Sequence, residues 1–205
     1  MGYWGTLIAT RTEGRTPGAL RGFEIRDHEG ARRGDGWQVH DAPDDFVTGS
    51  NDLLPRLAAE SGTPLLAAYI ADSDYGWLLG VDPAGDQWRA WLDARTAYAF
   101  ERDHRRMTGM PKADARGHAR KMISGYGLPP GEAAKRAVQW AANAGHKVPA
   151  SPVRQLLQTR RPPGISAAFR VPWRRYVFAE DMFFALLDNL GVPRSTSTPQ
   201  PPEQC

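Results

Sequence analysis

Apolar and polar positions are patterned most clearly in the run Pro64 to Asp93. Leu65 to Ile70 and Trp77 to Val81 are short unbroken apolar runs, as in strands buried on both faces of a sheet. Asp72-Ser73-Asp74-Tyr75-Gly76 between them reads as a turn, because Asp and Ser side chains bond to nearby backbone and Gly accepts a positive φ. Asp82-Pro83-Ala84-Gly85-Asp86 is a second turn, with Pro preset for its second position. In a third strand Trp88, Ala90 and Leu92 face one way and Gln87, Arg89, Trp91 and Asp93 the other. The pattern predicts three strands in an antiparallel meander.

Tyr3 to Thr12 alternates as a further strand. Phe23 to Arg26 and Gly36 to His40 are shorter candidates, read as a hairpin about the polar stretch 28–35. Residues 13–22 and 41–46 read as loops. Ser50 is a natural N-cap for a helix in which Leu53, Leu54, Leu57 and Ala58 recur at helical spacing until Gly62. Pro55 sits near its first turn, where a missing N–H costs least. Ala94 to Met107 carries helical signals through Ala97, Tyr98 and Phe100. The stretch 101–122 holds seven basic and three acidic residues with little apolar periodicity, and is read as a loop that is mobile or ordered by a partner.

Gly131 to Ala144 places Ala134, Ala137, Val138 and Ala141 on one helical stripe with Trp140 at its edge. Ser151 and Pro152 form an N-cap and first-turn pair opening a helix with Val153, Leu156 and Leu157 inward. Residues 160–177 are Pro-interrupted and Arg-rich. The last helix has the clearest stripe, Phe178, Met182, Phe183, Leu186, Leu187 and Leu190, closed by Gly191 and Pro193. Residues 194–205 offer nothing to bury and are expected to form a disordered tail. Together these elements predict a single α+β domain over 1–193. Its antiparallel sheet, of about five to six strands, comes from the N-terminal half and packs against helices mainly from the C-terminal half.

Composition narrows this picture a little. A chain of 205 residues can bury one sizeable core. The 26 basic residues against 23 acidic give a net charge of +3, too mild to imply nucleic acid by itself. Of the basic residues 22 are Arg and 4 are Lys, a bias that GC-rich coding produces, so the Arg excess is weak evidence for phosphate recognition. The single cysteine, Cys205, excludes an internal disulfide and a thiol-ligated metal site. No leader pattern opens the chain and no stretch approaches the roughly 18 apolar residues of a membrane span, so a soluble cytoplasmic protein without membrane contact is expected.

In its opening MGYWG, the segment AYIADSDYGW and the ending FAEDMFFALLDNLGV, the chain resembles small uncharacterised proteins common in high-GC actinobacteria. The resemblance implies a bacterial cytoplasmic setting. Its motifs are structural, so it assigns no catalytic residue.

Several constellations could carry chemistry. Asp72 and Asp74, with Asp82 and Asp86 on the next turn, have the hard oxygens that Mg²⁺ or Ca²⁺ requires. The two turns lie at opposite ends of a meander, however, and turn-forming Asp is the commoner reading. His40 beside Asp41 is the one histidine to test as a base, against the plainer reading of an exposed strand-end side chain; together with Asp72 and Asp74 it is the basis of a metal-dependent hydrolase alternative. Gly125-Tyr126-Gly127-Leu128-Pro129-Pro130-Gly131 loosely mimics a phosphate loop, but it follows no strand and has prolines where N–H donors are needed. Arg102, Arg105, Arg106, Lys112, Arg116, Arg120 and Lys121 could form a backbone-binding surface for nucleic acid. Arg160, Arg161, Arg170, Arg174 and Arg175 could extend that surface beside Trp173 and Tyr176. Arg89 and Trp91, and with them Trp173, Arg174, Arg175 and Tyr176, combine the residue types of protein hot spots. No constellation presets catalysis and no cofactor is expected. The leading expectation is a non-enzymatic module that binds another protein, of the immunity or regulatory partner type.

Overall fold

The computed structural model describes residues 2–11, 33–42, 52–159 and 178–194. Its elements in chain order are β1 (Gly5–Arg11), β2 (Trp37–Ala42), α1 (Leu53–Ser61), β3 (Leu65–Ala71), β4 (Tyr75–Val81) and β5 (Gln87–Leu92). The helices α2 (Ala94–Met107), α3 (Lys112–Tyr126), α4 (Pro130–Asn143), α5 (Ala150–Leu157) and α6 (Ala179–Asn189) follow. The architecture is α+β: a five-stranded sheet in the order β2-β1-β3-β4-β5, antiparallel at every pairing, carrying helices that come mostly from the C-terminal half.

The meander is β3-β4-β5, in the register Tyr69 to Trp77 to Trp91. Asp72 and Ser73 both take positive φ, 51° and 56°, in the mirror-image turn whose twist suits a hairpin. That turn also anchors distant chain. Ser73 N–H donates to the Tyr3 carbonyl at 2.9 Å, Tyr3 N–H to Ser73 Oγ at 2.7 Å, and Ser73 Oγ to Glu180 Oε1 at 2.6 Å. The first strand and the start of α6 are thereby tied to one corner of the sheet.

Period-two alternation sorts the sheet into two buried faces. Leu7, Ala9, Leu66, Ala68, Ile70, Leu78, Trp88, Ala90 and Leu92 meet α4, α5 and α6. The stripe of α4 is alanine-rich, so that helix lies close to the strands, and its Trp140 Nε1 donates to the Leu65 carbonyl at 2.8 Å. On α6, Met182, Phe183, Leu186 and Leu187 are fully buried, and Gly191 takes φ 80° just beyond the helix. The opposite face carries Ile8, Ala42, Leu65, Ala67, Leu79 and Val81 against Leu54, Leu57 and Ala58 of α1. Helices thus cover both sides of the sheet, and strands buried on two faces read as continuous apolar runs.

Several expectations are corrected. Residues 101–122 are not a loop: they form the second half of α2 and most of α3, joined by a turn with Gly109 at φ 92°. Ala115 and Ala119 are the fully buried residues of α3, so its inward stripe is two methyl groups wide and leaves little apolar signal. Residues 37–40 belong to β2, which runs on to Ala42 and, among the described residues, pairs with β1, placing His40 opposite Ile8. The partner proposed for it, 23–26, lies outside the described residues, as does Ser50. Pro149, not Ser151, occupies the N-cap of α5, and Ser151 and Pro152 fall in its first turn. Beyond α6, Arg194 pairs with Asp188, whose other oxygen takes the buried Arg33 at 2.5 Å. Residues 195–205 lie outside the described residues.

Candidate partner-binding site

The outer strand β5 is where the unabsorbed side chains converge. The connection from α3 to α4 runs along its free edge. Leu128 N–H donates to the Arg89 carbonyl at 2.9 Å, while Gly127 and Pro129 keep extended backbone. This is the stretch that mimicked a phosphate loop, and its prolines cover a sheet edge that would otherwise offer open pairing. Gly127 fits because a Cβ there would lie 2.5 Å from Trp91 Cδ1.

Two indoles fasten the end of α3. Trp91 Nε1 donates to the Ile123 carbonyl at 3.0 Å, and Trp77 Nε1 to the Tyr126 carbonyl at 2.9 Å. Both acceptors belong to the last turn of a helix, where carbonyls lack intrahelical partners. Arg89 lies over the Trp77 ring at 5.4 Å, and the Tyr75 ring lies between those of Trp91 and Phe100, tilted to both, with centroids at 6.3 and 5.5 Å. Burial first, then Tyr69, Glu101 and Asp74, push the Tyr75 phenol up to about 12.

Between β5, α2, α3 and the start of α4 lies a cleft of about 370 Å³. Trp91, Tyr98, Ile123, Leu128 and Leu157 line it, and the exposed Arg95 and Arg120 also contribute to its wall. A volume of this order accepts one or two large side chains, at the lower end of the range for ligand pockets.

The cations around it divide into two groups. On α2, Arg102 pairs with Asp103 at 2.7 Å, Arg105 with Glu101 at 2.6 Å and Arg106 with Asp103 at 3.9 Å. The Arg102 hydrogen bond holds the Asp103 carboxyl below its usual range. Glu101 also takes His118 Nε2 of α3 at 3.1 Å. On α3, Lys112, Arg116, Arg120 and Lys121 are exposed and form no ion pair among the described residues. At about 100° per residue, Lys112, Arg116, Arg120 and Ile123 share one flank, which runs into the cleft.

Of the residues singled out from sequence, Arg89 and Trp91 are at this site, but Trp91 is half-buried beneath α3 and serves as wall and fastener. Residues 160–177, with Trp173, Arg174, Arg175 and Tyr176, lie outside the described residues. Asp72 Oδ1 accepts from Gly2 N–H at 3.0 Å and Trp4 Nε1 at 3.3 Å, a turn role. Asp82 accepts from Asp86 N–H and Asn143 Nδ2, at 2.9 and 3.1 Å, on the other turn. No group of three or more metal-ligating side chains occurs among the described residues. His40 is not an exposed strand end: it is 2% exposed, neither ring nitrogen has a hydrogen-bond partner among the described residues, and burial lowers its pKa. Alternation sends its neighbour Asp41 to the other face, where the Tyr3 hydroxyl donates to it at 2.8 Å.

Tyr98, Arg95, Leu128 and Leu157 escaped the sequence reading. They come from elements far apart in the chain, and the one local clue was the Leu128-Pro129-Pro130 run. Among the described residues no helix is long and apolar enough to cross a membrane. No protein-family model, curated protein or solved structure matches this chain.

Proposed function

We propose that this chain is a cytoplasmic protein-binding module whose cleft beside β5 receives an apolar side chain of a partner segment, while the cations of α3 hold acidic residues next to it. The observation that carries this reading is the continuity of an apolar cleft with a flank of cations that have no acidic partner among the described residues. The chain's own segment 160–177 carries five Arg and no acidic residue, so its charge is of the wrong sign for that flank. An acidic segment of another protein is of the right sign.

Nucleic acid is the less favoured occupant. Three of the seven cations on 101–122 are engaged by Glu101 and Asp103, so the free footprint is small. The cleft wall is also as much aliphatic, through Ile123, Leu128 and Leu157, as aromatic, whereas base binding favours stacked rings. Peptide-display selection on the intact chain, counter-selected on an Arg116→Glu/Arg120→Glu variant, tests the reading. Enrichment of acidic segments with a large apolar residue supports it. No enrichment, together with single-stranded DNA binding that weakens steeply with salt, contradicts it.

A further inference from the structure

Resting on that reading of the cleft, we infer that the partner segment binds as an extended chain, with one large apolar anchor and acidic residues at every second position beyond it. Lys112, Arg116 and Arg120 are each four residues apart on α3, which at 1.5 Å per residue sets their spacing near 6 Å. Alternate side chains of an extended strand point the same way and repeat at about 6.6 Å. An anchor seated in the cleft therefore places the second, fourth and sixth following side chains along Arg120, Arg116 and Lys112.

A helical partner could also present acids about 6 Å apart, but it docks through several apolar positions on successive turns. The flank beyond the cleft offers no such row: Lys112, Ala113, Arg116, Gly117 and Arg120 are all exposed there, and the large apolar lining is confined to the cleft. One pocket followed by a line of cations suits a segment that inserts one side chain and lies flat afterwards.

Fluorescence anisotropy with the intact chain and labelled synthetic peptides tests this. One peptide carries Leu followed by Asp at alternate positions among Ser; the second has the same composition with its Asp residues contiguous. The alternating peptide should bind about tenfold tighter at physiological salt, the effect of three exposed ion pairs aligned or misaligned together. Arg116→Glu should erase that preference, and replacing the Leu by Gly should weaken both peptides. Equal binding of the two overturns the inference while leaving the protein-binding reading standing, and so does tighter binding of an Ala-rich helical peptide with Asp four apart. If neither peptide binds but a single-stranded oligonucleotide does, the protein-binding reading itself falls.

Discussion

A helical α3 makes a quantitative demand on two of its glycines. Gly117 and Gly125 both lie inside α3, and a Cβ built on either meets nothing within 4 Å. Replacing Gly by Ala in an exposed helix interior reduces the freedom of the unfolded chain and gains about 0.5–1 kcal/mol. The two positions are about 12 Å apart along the helix, far enough for their effects to add. Gly117→Ala/Gly125→Ala should therefore stabilise the fold by about 1–2 kcal/mol and raise Tm by about 2–8 °C for a domain of this size. Differential scanning calorimetry reads the shift, and far-UV circular dichroism should show unchanged helix content. If 101–122 were instead a loop, the same changes would touch residues without helical geometry. An unchanged or lowered Tm would refute the helix, and with it the fixed spacing of the α3 cations.

Trp91→Phe keeps the ring but leaves the Ile123 carbonyl without its donor. Urea unfolding should show a loss of about 1–2 kcal/mol, and amide exchange should rise first within 112–126. Leu186→Ala, at a fully buried position on α6, should cost about 2–5 kcal/mol in the same assay, with the lower end indicating collapse around the cavity. Because burial lowers the His40 pKa from 6.5, the unfolded chain takes up a proton near that pH which the fold excludes. Stability is then flat above pH 6.5 and falls as pH drops below it; His40→Leu should flatten that acid limb in Tm measured from pH 5 to 8. His146, also lowered by burial and then by Arg11, leaves a residual slope.

The meander and α6 were legible because each repeats one local pattern: unbroken apolar runs between Asp- and Gly-rich turns, or a leucine stripe at helical spacing. What stayed hidden depends on contacts remote in sequence. The α3 stripe is two alanines, Ala115 and Ala119, on a helix that packs against α2 and β5, so composition alone made it look like a loop. Alternation marked residues 36–40 as a strand but could not name β1 as a neighbour, which among the described residues lies between β2 on one side and β3 on the other. The two further residues that carry β2 to Ala42 turn His40 from a strand end into an interior position. At the site, Trp91 announced itself by residue type. Tyr98, Leu128 and Leu157 became neighbours only once α2, the α3–α4 connection and α5 closed around β5.

The direct measurement of the central claim is a heteronuclear NMR titration of the intact chain with an acidic peptide carrying one leucine anchor. Binding at the β5 cleft predicts saturable shifts of the Trp91 indole N–H and of the Gly127 and Leu128 amides, together with Arg116 and Arg120 on α3. An unchanged Trp91 indole signal, or shifts confined to another face of the sheet, would contradict it.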